Sequence, residues 1–125
     1  MERTERGWAG HFICADRCLF RRNTLLEHKN IKIVISTVGG MKDIHKEGEY
    51  EQIGYNRYYE TMAFHSKKDD KKYHDIDVGR QIYFKSNWVI NVLEDDIGAN
   101  KMHEEVVDEI TKGLLSNNSY KGGKP

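Results

Sequence analysis

The stretch Thr24-Leu-Leu-Glu-His-Lys-Asn-Ile-Lys-Ile-Val-Ile-Ser-Thr-Val38 reads as a β-hairpin, with Glu27 to Asn30 at its turn. Its second arm is dense in β-branched residues, which suit a pleated, half-buried surface. By the two-residue period of a strand, Ile31, Ile33 and Ile35 share one face, while Val34 and Val38 give the other face apolar character. A strand apolar on both faces belongs in the interior of a sheet. Working outward, His11 to Cys18 reads as a strand and Arg21 to Leu26 as another or its continuation. Gly39-Gly40 is expected to end the interior strand, and a polar loop follows from Met41 to about Gln52. Tyr55 to His65 returns as a strand, and Lys67 to Lys72 forms a solvated hairpin tip. Tyr73 to Phe84, kinked at Gly79, and Asn87 to Leu93 complete the strands.

The hydrophobic period then changes. Asp95 and Asp96 supply an acidic helix entry, favourable against the positive end of the helix dipole. Met102, Val106, Ile110 and Leu114 recur every four residues, joined by Val107, and this stripe should lie on the sheet. The expectation is an α+β fold: a mostly antiparallel β-sheet of about five to six strands, with one C-terminal helix packed on it. Residues 1–125 form a single domain, with an ordered core over about 7–115 and an Asn/Ser/Gly/Lys-rich tail, 116–125, that frays.

Twenty basic and twenty acidic residues leave a formal net charge of zero. That argues against a protein that coats polymeric nucleic acid, which needs a net positive field, and against an acidic mimic of DNA. Seven Tyr, four Phe and two Trp argue against disorder, and a small polar chain rich in aromatics is expected to complete its burial by self-association. The charged opening residues and the lack of any long apolar run predict no signal peptide, no membrane span and residence in the cytoplasm. Cys14 and Cys18 are then expected as free thiols.

Each cluster of chemically capable residues has a plainer reading. His11, Cys14 and Cys18 lack the close ligand pairs of a zinc site, so no metal is expected there. In His74-Asp75-Ile76-Asp77 the two aspartates share one strand face without a histidine, and serve better as partners for Arg80 or Arg57. His103-Glu104-Glu105 lacks the second histidine of a metalloprotease helix, leaving Glu104 and Glu105 to complement the helix N-terminus. No nucleophile elbow, P-loop or dinucleotide fingerprint occurs, so neither a catalytic set nor a cofactor is expected.

Arginines and aromatics carry the stronger signal. Arg17, Arg21 and Arg22 stand among apolar residues in what reads as sheet. Arg57 lies between Tyr55 and Tyr58-Tyr59, and Phe84 and Trp88 flank Ser86-Asn87, with Asn91 just beyond. Rings that grip a base beside guanidinium forks that hold phosphate would recognise a nucleotide-like ligand, with an amide such as Asn87 or Asn91 reading an edge. The plainer alternative keeps the rings in the core and pairs the arginines with Asp16, Glu60 and Asp77. Both readings stand at this level.

Glu5-Arg-Gly-Trp-Ala-Gly-His-Phe-Ile-Cys-Ala-Asp-Arg-Cys-Leu-Phe-Arg-Arg-Asn-Thr-Leu25, Arg57-Tyr-Tyr-Glu-Thr-Met-Ala-Phe-His65 and Arg80-Gln-Ile-Tyr-Phe84 resemble stretches of small phage-borne proteins. In size, β-then-helix order and lack of a catalytic motif, the chain is similar over nearly its whole length to the phage anti-Thoeris sponges (Thoeris anti-defence protein one). The resemblance implies a homo-oligomer, from a dimer up to a hexamer, that traps a cyclic ADP-ribose isomer between subunits in the bacterial host cytoplasm and releases it unchanged. Some members of that family also hold cyclic oligonucleotides at a separate site. On that reading Arg57, beside Tyr59, would hold the pyrophosphate, Phe84 or Trp88 would stack on adenine, and Asn91 would read an edge or a ribose. Arg21 and Arg22 would serve the same pocket or a second anionic one. Two alternatives remain open: a phage inhibitor that binds a host defence protein directly, and a small nucleotide-processing enzyme working through Glu60, His65 or the His74–Asp77 segment.

Overall fold

The computed structural model describes residues 1–6, 11, 17–66, 76–82, 88–93 and 96–116. They form seven strands and one helix: β1 (Glu2–Glu5), β2 (Cys18–His28), β3 (Ile31–Lys42), β4 (Tyr50–Glu51), β5 (Tyr59–Ser66), β6 (Ile76–Ile82), β7 (Val89–Ile90) and α1 (Asp96–Leu115). All pairings are antiparallel. The sheet runs β1-β2-β3-β5-β6, with β4 paired to the far end of β3 and β7 to the start of β5. The architecture is therefore α+β, a mostly antiparallel sheet with a C-terminal helix packed on one face.

The β2–β3 hairpin turns more tightly than its sequence suggests. His28 pairs with Ile31, leaving Lys29 and Asn30 as a two-residue turn with φ of 49° and 69°. Both central residues at positive φ give the mirror-image turn that matches the right-handed twist of the strands. β3 lies between β2 and β5, the interior position expected from its two apolar faces.

Gly39-Gly40 does not end β3, which continues to Lys42 and picks up β4 there. The expected Met41–Gln52 loop thus contains a short hairpin, and the strand expected from Tyr55 starts at Tyr59. Gly79 lies in β6, where its N–H donates to the Asp77 carboxylate at 3.2 Å and the register to β5 shifts between Phe64 and Ser66. The Lys67–Lys72 tip, most of the His11–Cys18 segment, Cys14, Asp95, His74, Asp75 and residues 117–125 lie outside the described residues. Cys18 is a buried free thiol.

The principal core joins Leu26, Ile33, Ile35, Ala63, Ile82 and Trp88 to Val106, Val107, Ile110 and Leu114 of α1. The odd-numbered isoleucines of β3 thus meet the predicted helix stripe. On the sheet face away from α1, Asn23, Leu25, Val34, Ser36, Glu60 and Phe64 are also buried. His11 is set against this second face, its ring 5.7 Å from that of Phe64. No helix among the described residues is long and apolar enough to cross a membrane.

Candidate functional site

An aromatic cleft opens where β2, β3 and β5 run side by side toward the start of α1. Phe20 pairs with Gly39, and Gly39 in turn with Tyr59, so a glycine separates two rings along one row of the sheet. A Cβ built on Gly39 would lie 2.0 Å from Cδ2 of Tyr59. The missing side chain is the space the Tyr59 ring occupies. The Phe20 and Tyr59 rings meet edge-to-face, centroids 6.5 Å apart at 76°, a geometry favoured by the aromatic quadrupole. Ala99 and Met102 of α1 back them. Gly40, at φ +64°, turns the chain beside this pair, where an L side chain would be strained.

Leu19, Phe20, Gly40, Tyr50, Tyr59, Leu93 and Asp96 line the resulting cavity of about 430 Å³. That volume falls within the range of about 300–1,000 Å³ typical of small-molecule sites. Leu19 and Leu93 are 59% and 50% exposed, so they form an apolar rim. Asp96 is the single charged one of the described lining residues. Among the described residues it has no hydrogen-bond or ion-pair partner.

A second polar assembly sits on the sheet face away from α1. His11 Nε2 lies 2.7 Å from Glu60 Oε2, and His11 Nδ1 lies 2.9 Å from the Ser36 hydroxyl. Arg57 Nε approaches Glu60 Oε1 to 2.6 Å as an ion pair, although its N–H is not aimed along that line. The guanidinium packs against Gly54, where a Cβ would stand 2.7 Å from one of its terminal nitrogens. Burial alone would raise the Glu60 pKa, but the hydrogen bond and charge of His11, with the charge of Arg57, hold it below the ordinary carboxylate range. Ser36, His11 and Glu60 stand in the order of a nucleophile, base and acid. Ser36 has no exposed surface, however, so the chain of contacts fastens His11 onto the sheet without presenting the hydroxyl to a substrate.

A third assembly lies under α1. His103 is fully buried, with Nε2 2.7 Å from the Thr24 hydroxyl and Nδ1 2.7 Å from that of Thr37. Thr37 and Thr61 lie 2.6 Å apart. Burial pushes the His103 pKa down to about 4, assisted by the charge of Arg22, so the ring is neutral at pH 7. Outside it, Arg3 and Arg22 both hold Glu104, and Arg22 also holds Glu5. The hydrogen bond from Arg3, followed by that from Arg22, takes Glu104 down to about 2. Glu104 therefore fastens β1 and β2 to the helix instead of complementing its first turn.

The predicted ligand residues are not gathered in one place. Tyr59 lines the aromatic cleft. Trp88 is buried in the principal core, away from the Phe20–Tyr59 cluster. Arg22 is engaged by Glu5, Glu104 and Asn100 on the helix side. Arg21 points to the opposite side of β2 and is exposed. Arg57 is committed to Glu60, and Asn91 is exposed beyond β7. Phe84 and Asn87 lie outside the described residues. The plainer pairing holds for Arg57 with Glu60, and Asp77 stands 4.0 Å from Arg80. Of the residues offered for catalysis, Glu60 is sealed in its ion pair and His65 is buried beside Arg80, both effects lowering the His65 pKa.

Phe20, Tyr50 and Asp96 were missed as a group because three separate strands or helix starts bring them together. The usable signal was Gly39-Gly40 inside a β-branched strand, since glycine within a strand marks close approach by another group. In comparisons with protein-family models, with curated proteins and with solved structures, nothing matches this chain.

Proposed function

We propose that this chain is a non-catalytic capture protein for a small nucleotide-type signal, with the ligand's ring system seated in the Phe20–Tyr50–Tyr59 cleft. The observation that carries the reading is the cleft itself: about 430 Å³, three aromatic residues, and an apolar rim. A flat base stacked on an aromatic face gains roughly 1–3 kcal/mol, and half-buried Tyr50 offers such a face over the buried Phe20–Tyr59 pair. Capture needs enclosure and no general base, and His11 and His103 are held in hydrogen bonds while His65 is buried.

The resemblance to anti-Thoeris sponges supplies the ligand class, a cyclic ADP-ribose isomer, and the biological setting, a phage protein acting in the host cytoplasm against an immune signal. Among the described residues the lining offers no cation for a pyrophosphate. The phosphates would then face out of the cleft, toward groups brought by a second copy of the chain closing over the Leu19–Leu93 rim. Calorimetry with cyclic ADP-ribose tests this reading. Binding to the wild type that is lost in a folded Tyr50→Ala variant is expected; undiminished binding by that variant would remove the cleft from the site.

A second reading rests on exposed Leu19, Val92, Leu93 and Ile97 near the same cleft. Such a rim would also suit direct docking on a host defence protein, with an apolar anchor residue filling the cavity. That version predicts affinity for a protein partner and none for nucleotides.

A further inference from the structure

Rings alone select for flatness, since every base has a face to stack. Identity must come from polar groups beside them, and among the described lining residues these are the Tyr50 and Tyr59 hydroxyls and the carboxylate of Asp96. Asp96 is exposed at the start of α1 and engages no basic side chain among the described residues. A carboxylate accepts hydrogen bonds and cannot donate. Beside a stacked ring it favours an edge that carries N–H groups and disfavours one that presents lone pairs or phosphate.

We infer that Asp96 is the specificity-determining residue of the cleft, accepting a hydrogen bond from the exocyclic amine of a purine seated against Tyr50, with the Phe20–Tyr59 pair behind it. The ligand class is an aminopurine nucleoside or nucleotide, held base-inward and phosphate-outward. The inference rests on the capture reading above and adds to it which base edge is read and in which direction the ligand lies.

The test compares adenosine with purine riboside, which has the same ring system without the amine, by calorimetry on the full chain. The wild type is expected to favour adenosine by about tenfold, in line with one hydrogen bond to a charged, solvent-facing acceptor. Asp96→Ala should bring the ratio to about one by weakening adenosine alone. Asp96→Asn, which keeps an acceptor oxygen and a residue suited to a helix start, should fall between. Purine riboside affinity reports folding of each variant independently. Equal binding of both nucleosides to the wild type, with both lost in Tyr50→Ala, would overturn the role of Asp96 and leave capture in the cleft standing. No binding of either nucleoside at millimolar concentration, or binding indifferent to Tyr50→Ala, would overturn the inference and the cleft together.

Discussion

Tyr59 lies across β5 and β3 directly on Gly39, with its Cδ2 atom where a Gly39 side chain would begin. This contact joins fold to site. It lets a large ring lie flat on an interior strand, and it places that ring edge against Phe20 to form the back of the cleft. Gly39→Ala cannot be absorbed by a flexible chain end, because the obstructing atoms belong to a buried ring and to the Tyr58 carbonyl. The substitution should destabilise the protein by about 1–3 kcal/mol and weaken ligand capture with it. Urea unfolding would show a lowered midpoint at unchanged slope; Gly39→Ala with wild-type stability would contradict the packing.

His103 sets an acid limb of stability. Its ordinary pKa is 6.5 and its folded value about 4, so between these values the unfolded chain binds more protons than the folded one. Stability should therefore rise with pH across that window and fall as pH drops from about 6.5 toward 4. His65, also shifted down, adds to the slope in the same sense. Denaturation at a series of pH values should show His103→Gln reducing this slope without abolishing it. An unchanged slope would mean that the ring is charged in the fold.

Glu104 contributes lower on the scale. Its carboxylate, held at about 2 by Arg3 and Arg22, adds stability above its ordinary value of 4.5, and that stability is lost as pH falls toward 2. Arg3 and Glu104 are both substantially exposed, so salt should screen the pair. Glu104→Gln is expected to cost less than about 1 kcal/mol overall. Its visible effect should be local: faster hydrogen exchange at the β1 amides paired to β2. Protection of β1 equal to the wild type would show that strand pairing alone holds it.

The Glu60 cluster answers differently. Glu60→Gln removes the charge that His11 and Arg57 share in a largely buried place, and should cost about 1–3 kcal/mol. Arg57 is about one-third exposed and can turn to water, which keeps the loss below that of a fully buried pair. Arg57→Glu would set two carboxylates side by side, so it should lower the melting temperature rather than leave the fold intact. A melting temperature equal to the wild type would show that Arg57 is not needed to hold Glu60.

Much of the fold was legible because it follows short periods. Ile31, Ile33 and Ile35 alternate, Met102, Val106, Ile110 and Leu114 recur every four residues, and each set packs where its period points. The site was less legible because its contacts join residues far apart in the chain. His11 meets Glu60 across 49 positions and His103 meets Thr24 across 79. Trp88 looked like a stacking platform, yet the same flat apolar surface serves a core equally well. Gly39 looked like a strand end because nothing nearby in sequence names the ring that fills its gap.

The most direct measurement is a native mass spectrum of the full chain incubated with cyclic ADP-ribose, followed by heat release and analysis of the freed ligand. The account predicts an oligomer carrying the ligand's mass, and recovery of cyclic ADP-ribose unchanged. A recovered product of altered mass would contradict capture without turnover, and an oligomer carrying no added mass would contradict capture itself.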